Sequence, residues 1–139
     1  MSVDGKVVGA VDGGFLVLLG VGKDDSERDC KRLVKKLVGL RIFSDENGKI
    51  NKSLNDVGGG LLVISQFTLY ADCRKGNRPG FSDAKEPNEA ERLYEYFCEL
   101  CQKEIPRVER GIFGADMSVE LINDGPFTVL LESRNGEMI

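Results

Sequence analysis

Two short segments hold the residues best suited to chemistry: Ser65-Gln66-Phe67-Thr68-Leu69 and Asn123-Asp124-Gly125-Pro126-Phe127-Thr128. Each sets hydroxyls, side-chain amides or a Gly-Pro pair beside a strongly apolar, β-type run. The chain contains no histidine, so the commonest side-chain general base is missing. A threonine nucleophile normally needs an adjacent base, and none stands near Thr68 in its own segment. Any chemistry at these segments must proceed without histidine, which narrows the mechanism. If Leu61 to Tyr70 is one buried strand, alternation places Ser65 and Phe67 on one face and Gln66 and Thr68 on the other. A buried Gln66 then needs hydrogen-bond partners. Gly125-Pro126 joins two apolar runs and is a place for a cis peptide bond that presents main-chain carbonyls. Taken singly, each segment reads as well as a structural turn.

The other candidates have simpler readings. Cys98 and Cys101 have the spacing of a zinc knuckle or redox pair, but a zinc site needs two further ligands and histidine is not available. On a helix this spacing puts both thiols on a core stripe, so buried structural cysteines are expected, with no metal. Asp12-Gly13-Gly14, Gly58-Gly59-Gly60 and Lys75-Gly76-Asn77 lack the spacing of phosphate-binding loops and read as turns. Paired acids such as Asp24-Asp25 and Asp45-Glu46 fall in turns or at a helix start. A net charge of −4 argues against wrapping nucleic acid on a broad basic face. Two local basic groups, Arg74-Lys75-Arg78 and Lys103-Arg107-Arg110, leave room for docking a single nucleic-acid end.

At 139 residues the chain is read as one domain spanning 1–139, long enough to bury about two-thirds of its unfolded surface. No apolar run approaches the ~20 residues of a membrane span, and no secretory leader precedes the first strand. A cytoplasmic protein with reduced thiols is expected.

Several elements must position the two segments. Lys6 to Val11 and Phe15 to Val21 read as a hairpin turned at Asp12-Gly13-Gly14. Ser26 opens a helix whose Cys30, Leu33, Val34, Leu37 and Val38 face the core, while Lys31, Arg32, Lys35 and Lys36 form a solvated face. Arg41 to Phe43 is a short strand, and Leu61 to Tyr70 a central one. Pro87 starts a second helix with Leu93, Phe97, Leu100 and Cys101 inward. Val108 to Ile112, Met117 to Ile122 and Phe127 to Glu132 complete the strands. The class is mixed α/β.

In order along the chain, SQFTLYAD, GNRPGF, GADM and NDGPFT resemble the D-aminoacyl-tRNA deacylase family. The likeness runs from Val3-Asp4-Gly5 through Leu40 to Phe43 and the Gly58 loop to the last strand. It implies a three-layer β/β/α domain with mixed sheets and two main helices, acting as a homodimer on the acceptor end of tRNA, with no cofactor and no membrane. The implied reaction is hydrolysis of the D-aminoacyl ester, and of glycyl esters mischarged on tRNA-Ala. Gly125 and Pro126, as a cis pair, would reach into the partner's pocket and exclude L side chains at Cα. Ser65, Gln66, Phe67 and Thr68 would form the catalytic group, with a backbone N–H near Phe67-Thr68 as oxyanion donor. Phe113 and Met117 would take the terminal adenine. Asn123 and Thr128 would contact the substrate, and Arg74, Lys75 and Arg78 would meet its phosphates.

The chain departs from the family pattern in three places. No strand is read ahead of Val3-Asp4-Gly5, where the family usually has one: either the sequence starts late or this form lacks it, and its loss is expected to expose a sheet edge and weaken stability and dimerisation. Gly80 stands where serine is usual, and Phe127 where valine is common. The competing expectation is a non-enzymatic nucleic-acid-binding module, or a plain structural dimer, on the same fold.

Overall fold

The computed structural model describes residues 1–139. Its elements in chain order are β1 (Ser2–Val3), β2 (Lys6–Val7), β3 (Gly14–Leu19), α1 (Glu27–Gly39), β4 (Phe43–Ser44), β5 (Ile50–Lys52), β6 (Gly60–Ser65), a 3-10 turn (Phe67–Tyr70), α2 (Pro87–Glu104), β7 (Val108–Arg110), β8 (Ser133–Arg134) and β9 (Glu137–Met138). The centre is a parallel sheet of order β3-β6-β7. Strand alternation divides its side chains between two layers. Leu19, Leu61 and Val63 point into a core shared with Val34 and Leu37 of α1 and Leu93, Tyr94 and Phe97 of α2. Leu62 and Ile64 point the other way, meeting Met1, Val3, Val11, Leu16, Met117 and Val119. The outer layer is the β1–β2 hairpin, tied to residue 118 by paired bonds, Ser2 N–H to Ser118 O at 2.8 Å and Ser118 N–H to Ser2 O at 2.9 Å. Helices, sheet and this thin second β layer make the expected three-layer mixed α/β arrangement.

The helices start where the residue types dictate. At α1 the Asp29 carboxylate accepts the Ser26 N–H at 3.1 Å, satisfying one of the first-turn donors that lack helical partners. At α2, Pro87 holds the first helical position, and Glu86 accepts from the Asn88 and Glu89 amides at 2.9 and 3.2 Å. Three of the four cysteines, Cys30, Cys98 and Cys101, are buried between the helices and the sheet, as their spacing predicted, while Cys73 is exposed. Burial pushes the Cys30 and Cys101 thiols up to about 12 and also raises Cys98.

Three sequence expectations are corrected. The hairpin turned at Asp12-Gly13-Gly14 does not form. Instead β2 turns back on β1 through Asp4 (φ 50°) and Gly5 (φ 79°), and β3 pairs in parallel with β6. Two successive positive φ values make the tight turn that matches strand twist. At Gly14 the chain crosses β6 closely: its φ is 136°, and a Cβ there would lie 2.0 Å from the Gly60 carbonyl oxygen. The central strand ends at Ser65 rather than Tyr70, because residues 67–70 coil into the 3-10 turn. Finally, residues 117–122 and 127–132 join no strand ladder. They find no neighbouring strand in this chain beyond the Ser2–Ser118 bridge, and Ile122 and Leu130 are about 90% exposed (93% and 90%). Sheet pairing is instead found in two hairpins, β4–β5 and β8–β9.

Asp29 clasps the β8–β9 hairpin to α1. Its buried carboxylate accepts the Ser133 hydroxyl at 2.6 Å and the Gly136 N–H at 2.9 Å. Burial by itself raises its pKa, but the bonds from Ser133, Gly136 and Ser26 outweigh that and hold the group below the usual carboxylate range. A carboxylate depressed in the folded state adds stability that is present above the unfolded pKa and is lost as pH falls through the folded one. Asp29→Ala leaves three donors unpaired and is expected to cost about 2–4 kcal/mol at pH 7. The gap between wild type and variant in urea titrations should shrink below about pH 4. An equal gap at pH 7 and pH 3 would remove the charge from the account.

Candidate active site

The end of the sheet where β3 and β6 finish carries the first chemical segment. The Gln66 N–H donates to Leu19 O at 2.8 Å, so Gln66 is the last residue held against β3. The chain then coils: the Leu69 N–H bonds Gln66 O at 3.2 Å and the Ala71 N–H bonds Thr68 O at 3.1 Å. This coil, not strand alternation, places the side chains. Gln66 Nε2 donates to Thr68 Oγ1, which supplies the partner Gln66 needed, although the pair sits at the surface and not in a buried strand. Because Thr68 Oγ1 is the acceptor, its own O–H is left to donate outward. Phe67 is 56% exposed and makes an edge-on contact with Phe81 at 4.9 Å.

The turn is braced from below by a residue that sequence reasoning passed over. Tyr70 lies flat against the chain at Gly20 and Gly22, so that a Cβ on Gly22 would meet the ring at 2.8 Å. Its hydroxyl also faces Asp25 Oδ2 at 3.5 Å, and that carboxylate accepts the Gly22 N–H at 2.6 Å. Burial raises the Asp25 pKa and pushes the Tyr70 phenol up to about 12. The available signal was Gly20-Val21-Gly22, two glycines one strand repeat apart, leaving one face clear for an aromatic ring.

The loop after the turn closes on itself: Asp72 N–H to Gly80 O is 2.7 Å and Gly80 N–H to Asp72 O is 2.9 Å. At Gly80 the main chain makes this contact. Within the loop the Arg74 guanidinium grips Asp72 with two bonds of 2.8 Å, holding that carboxyl down to about 2. Arg74 is thus already paired, whereas Lys75 and Arg78 are exposed and unpaired.

The second segment is an exposed loop fixed by one side chain. Asn123 Oδ1 accepts the Phe127 N–H at 2.7 Å, and Asn123 Nδ2 donates to Thr128 Oγ1 at 3.0 Å. The enclosed Gly125-Pro126 bond is cis, and Gly125 has φ 138°. Asn123 and Thr128 therefore shape the loop around the Gly-Pro pair. Phe113 is half-buried, with its ring 6.0 Å from Tyr94, and Met117 packs under Gly111 in the outer-layer cluster. No hydrogen bond or aromatic contact joins the two chemical segments within the chain. Two surface grooves, of about 310 and 290 Å³, lie along α1.

Comparison with known proteins places the chain in a family. The sequence model of the family described as D-Tyr-tRNA(Tyr) deacylase matches residues 1–132. The chain belongs to this deacylase family and is an enzyme of that class. A D-aminoacyl-tRNA deacylase from Clostridium novyi (strain NT) is 56% identical over 134 residues, covering 96% of this chain and 90% of the relative. One from Anaeromyxobacter dehalogenans (strain 2CP-C) is 58% identical with the same coverage. Among solved structures, the c-Myc DNA Unwinding Element Binding Protein superposes with a TM-score of 0.90 at 39% identity, covering 96% of this chain and 91% of that one. A probable eukaryotic D-amino acid tRNA deacylase, at TM-score 0.62 and 19% identity over 74% of this chain and 76% of its own, shares the fold. No helix is long and apolar enough to cross a membrane.

Proposed function

We propose that this deacylase cleaves the ester between a D-amino acid and the 3′-terminal ribose of tRNA, releasing both, in the cytoplasm and as a homodimer. The observation that carries the reading is the pairing of two surface devices in a chain of this family: the Gln66–Thr68 turn and the Asn123-pinned Gly125-Pro126 loop. Neither device forms an enclosed pocket by itself. Exposed apolar side chains at Leu121, Ile122, Phe127, Val129 and Leu130 favour a partner copy that brings the loop of one subunit to the turn of the other. There the carbonyls of Gly125 and Pro126 leave no room for an L side chain at Cα. Achiral glycyl esters, including those mischarged on tRNA-Ala, still fit.

The chemistry needs no histidine. An aminoacyl ester is already activated, and the adjacent ribose hydroxyl assists the attacking water. The Thr68 O–H, free because Gln66 occupies the oxygen as donor, points to the ester. Ser65 and Gln66 position the 3′ end, and a main-chain N–H of Phe67 or Thr68 receives the developing oxyanion. Phe113 offers the terminal adenine a stacking surface worth ~1–3 kcal/mol, with Met117 beside it. Lys75 and Arg78 lie nearest the phosphates, while Arg74 acts through Asp72 to hold their loop.

The test is ester loss from D-tyrosyl-tRNA and L-tyrosyl-tRNA. Rapid loss of the D ester alone is expected. Thr68→Ala should lower the single-turnover rate by about 10- to 100-fold without abolishing it, with no threonyl ester trapped in the wild type. A trapped threonyl ester would replace water by Thr68 as the nucleophile. The structural likeness to a DNA-unwinding-element binding protein favours a second reading, a nucleic-acid-binding module. Binding of tRNA without hydrolysis of either ester would select it.

A further inference from the structure

The basic face of α1 is distinguished by what surrounds it. Five of the chain's 19 basic residues fall in this 13-residue helix: Arg28, Lys31, Arg32, Lys35 and Lys36. Outside α1, Lys23 pairs with Asp83, Lys52 with Glu46, Arg74 with Asp72, Arg92 with Glu27 and Glu89, Arg110 with Glu95, and Arg134 with Glu132, while the other basic residues there are spread singly or in pairs along the chain. None of the five on α1 has a carboxylate within ion-pair distance. The helix's own acids are engaged, Glu27 with Arg92 and Asp29 with the β8–β9 hairpin.

Four of these cations line one groove. Arg28, Lys31, Arg32 and Lys35 surround a surface depression of about 290 Å³ whose remaining wall is Gly136. The spacing i, i+3, i+4, i+7 stacks them on one helix face. Gly136 makes room for Arg28: a Cβ there would stand 3.2 Å from the guanidinium Nε. Helix stability does not account for the arrangement. Like charges at these spacings disfavour a helix by roughly 0.2–0.5 kcal/mol per pair, and a cation in the first turn opposes the helix dipole. The bordering groove between α1 and α2 has one acid, Glu104, beside Lys31 and Lys35, and it makes no ion pair with them.

The groove also has a direction. It starts at the N-terminal end of α1, just after the loop where Asp25 meets the Tyr70 of the catalytic turn. Arg28 to Lys35 covers about 10 Å of helix, or two to three phosphate repeats of a nucleic-acid strand. We infer that the α1 groove binds backbone phosphates of the substrate's RNA strand, upstream of the ester held at the turn. This rests on the proposed deacylase reading, and it assigns to α1 a share of the affinity for tRNA that the Arg74 loop, with one cation neutralised, does not supply.

The test compares wild type with Lys31→Gln/Lys35→Gln, two exposed positions where glutamine keeps helix propensity. With intact D-tyrosyl-tRNA, KM is expected to rise about tenfold at unchanged kcat, and the slope of log KM against log salt to fall by about 1.5–2. With D-tyrosyl-adenosine, which has no upstream phosphates, the two proteins should be equal. Unchanged KM and salt slope on intact tRNA would overturn the inference, as would an equal loss on both substrates. Loss of binding to phosphatidylserine vesicles with tRNA kinetics intact would make the groove a lipid site and also overturn it. If wild type hydrolyses neither ester, the deacylase reading fails by itself. Fluorescence anisotropy with uncharged tRNA then decides the groove: weaker binding by the variant supports it, and equal binding overturns it.

Discussion

Replacing Asn123 with alanine is expected to slow hydrolysis of D-tyrosyl-tRNA by about 10- to 100-fold, although Asn123 performs no chemistry. Its side chain makes both bonds that fix the loop, from the Phe127 N–H at 2.7 Å and to Thr128 Oγ1 at 3.0 Å. Displacing a positioned group by about 1 Å is worth on the order of 10²-fold in rate, and an exposed loop contributes little to folding. The melting temperature should therefore move by less than about 2 °C. If the loop excludes L side chains as proposed, selection should suffer with rate, and the ratio of D to L ester loss should fall. Thr128→Val divides the effect, since it removes the Thr128 oxygen and keeps the bond to the Phe127 amide. A smaller loss than for Asn123→Ala is expected. Unchanged D and L rates in Asn123→Ala would mean that the loop takes no part in the pocket.

The largest effect on stability is expected at Gly14. A Cβ at this position would lie 2.0 Å from the Gly60 carbonyl oxygen and 2.7 Å from the Gly60 nitrogen, atoms of a backbone that has little room to yield. The same segment holds β6 in register through the Gly60 N–H bond to Gly13 O at 2.9 Å. Overpacking costs about 1–3 kcal/mol, and a non-glycine residue at φ 136° adds about 1–3 kcal/mol. Gly14→Ala should therefore lose about 3–5 kcal/mol, a large share of the ~5–15 kcal/mol typical of a domain. Urea unfolding measures this directly. A loss below about 1 kcal/mol would show that the β3–β6 crossing opens readily. The variant also links fold to site, because β6 carries Ser65 at its far end.

The helices and the central strands were legible because burial there follows a simple period. Cys30, Val34 and Leu37 form one stripe of α1, and Gly60 to Ile64 is buried on both faces, as an apolar run in a parallel sheet must be. The coil after Ser65 was not legible. Phe67 and Leu69 continue the apolar pattern, yet they are 56% and 51% exposed. An exposed apolar surface looks like core when read by composition alone. The run from 117 to 132 failed differently. Burial alternates from Gly111 to Glu120 as in a strand, but pairing needs a neighbour, and one chain offers only Ser2. The short hairpins β4–β5 and β8–β9 depend on two or three residues, too few for a period, although Asn135-Gly136 is a strong turn signal. At the candidate site, the hydrogen bonds among the residues were not legible. Asn123 was read as a substrate contact, and its hydrogen bonds show it bracing the loop.

The distribution of the four cysteines has a consequence for handling the protein. Thiolate is the reactive form of cysteine, and burial keeps Cys30, Cys98 and Cys101 protonated far above neutral pH. Cys73 stands alone at the surface, between the Asp72 and Arg74 that close the loop beside the Gln66–Thr68 turn. To an alkylating dye or a mild oxidant, the folded chain presents a single address. A label attached there would sit where the incoming RNA is proposed to pass, and it would acquire three companions only when the core opens.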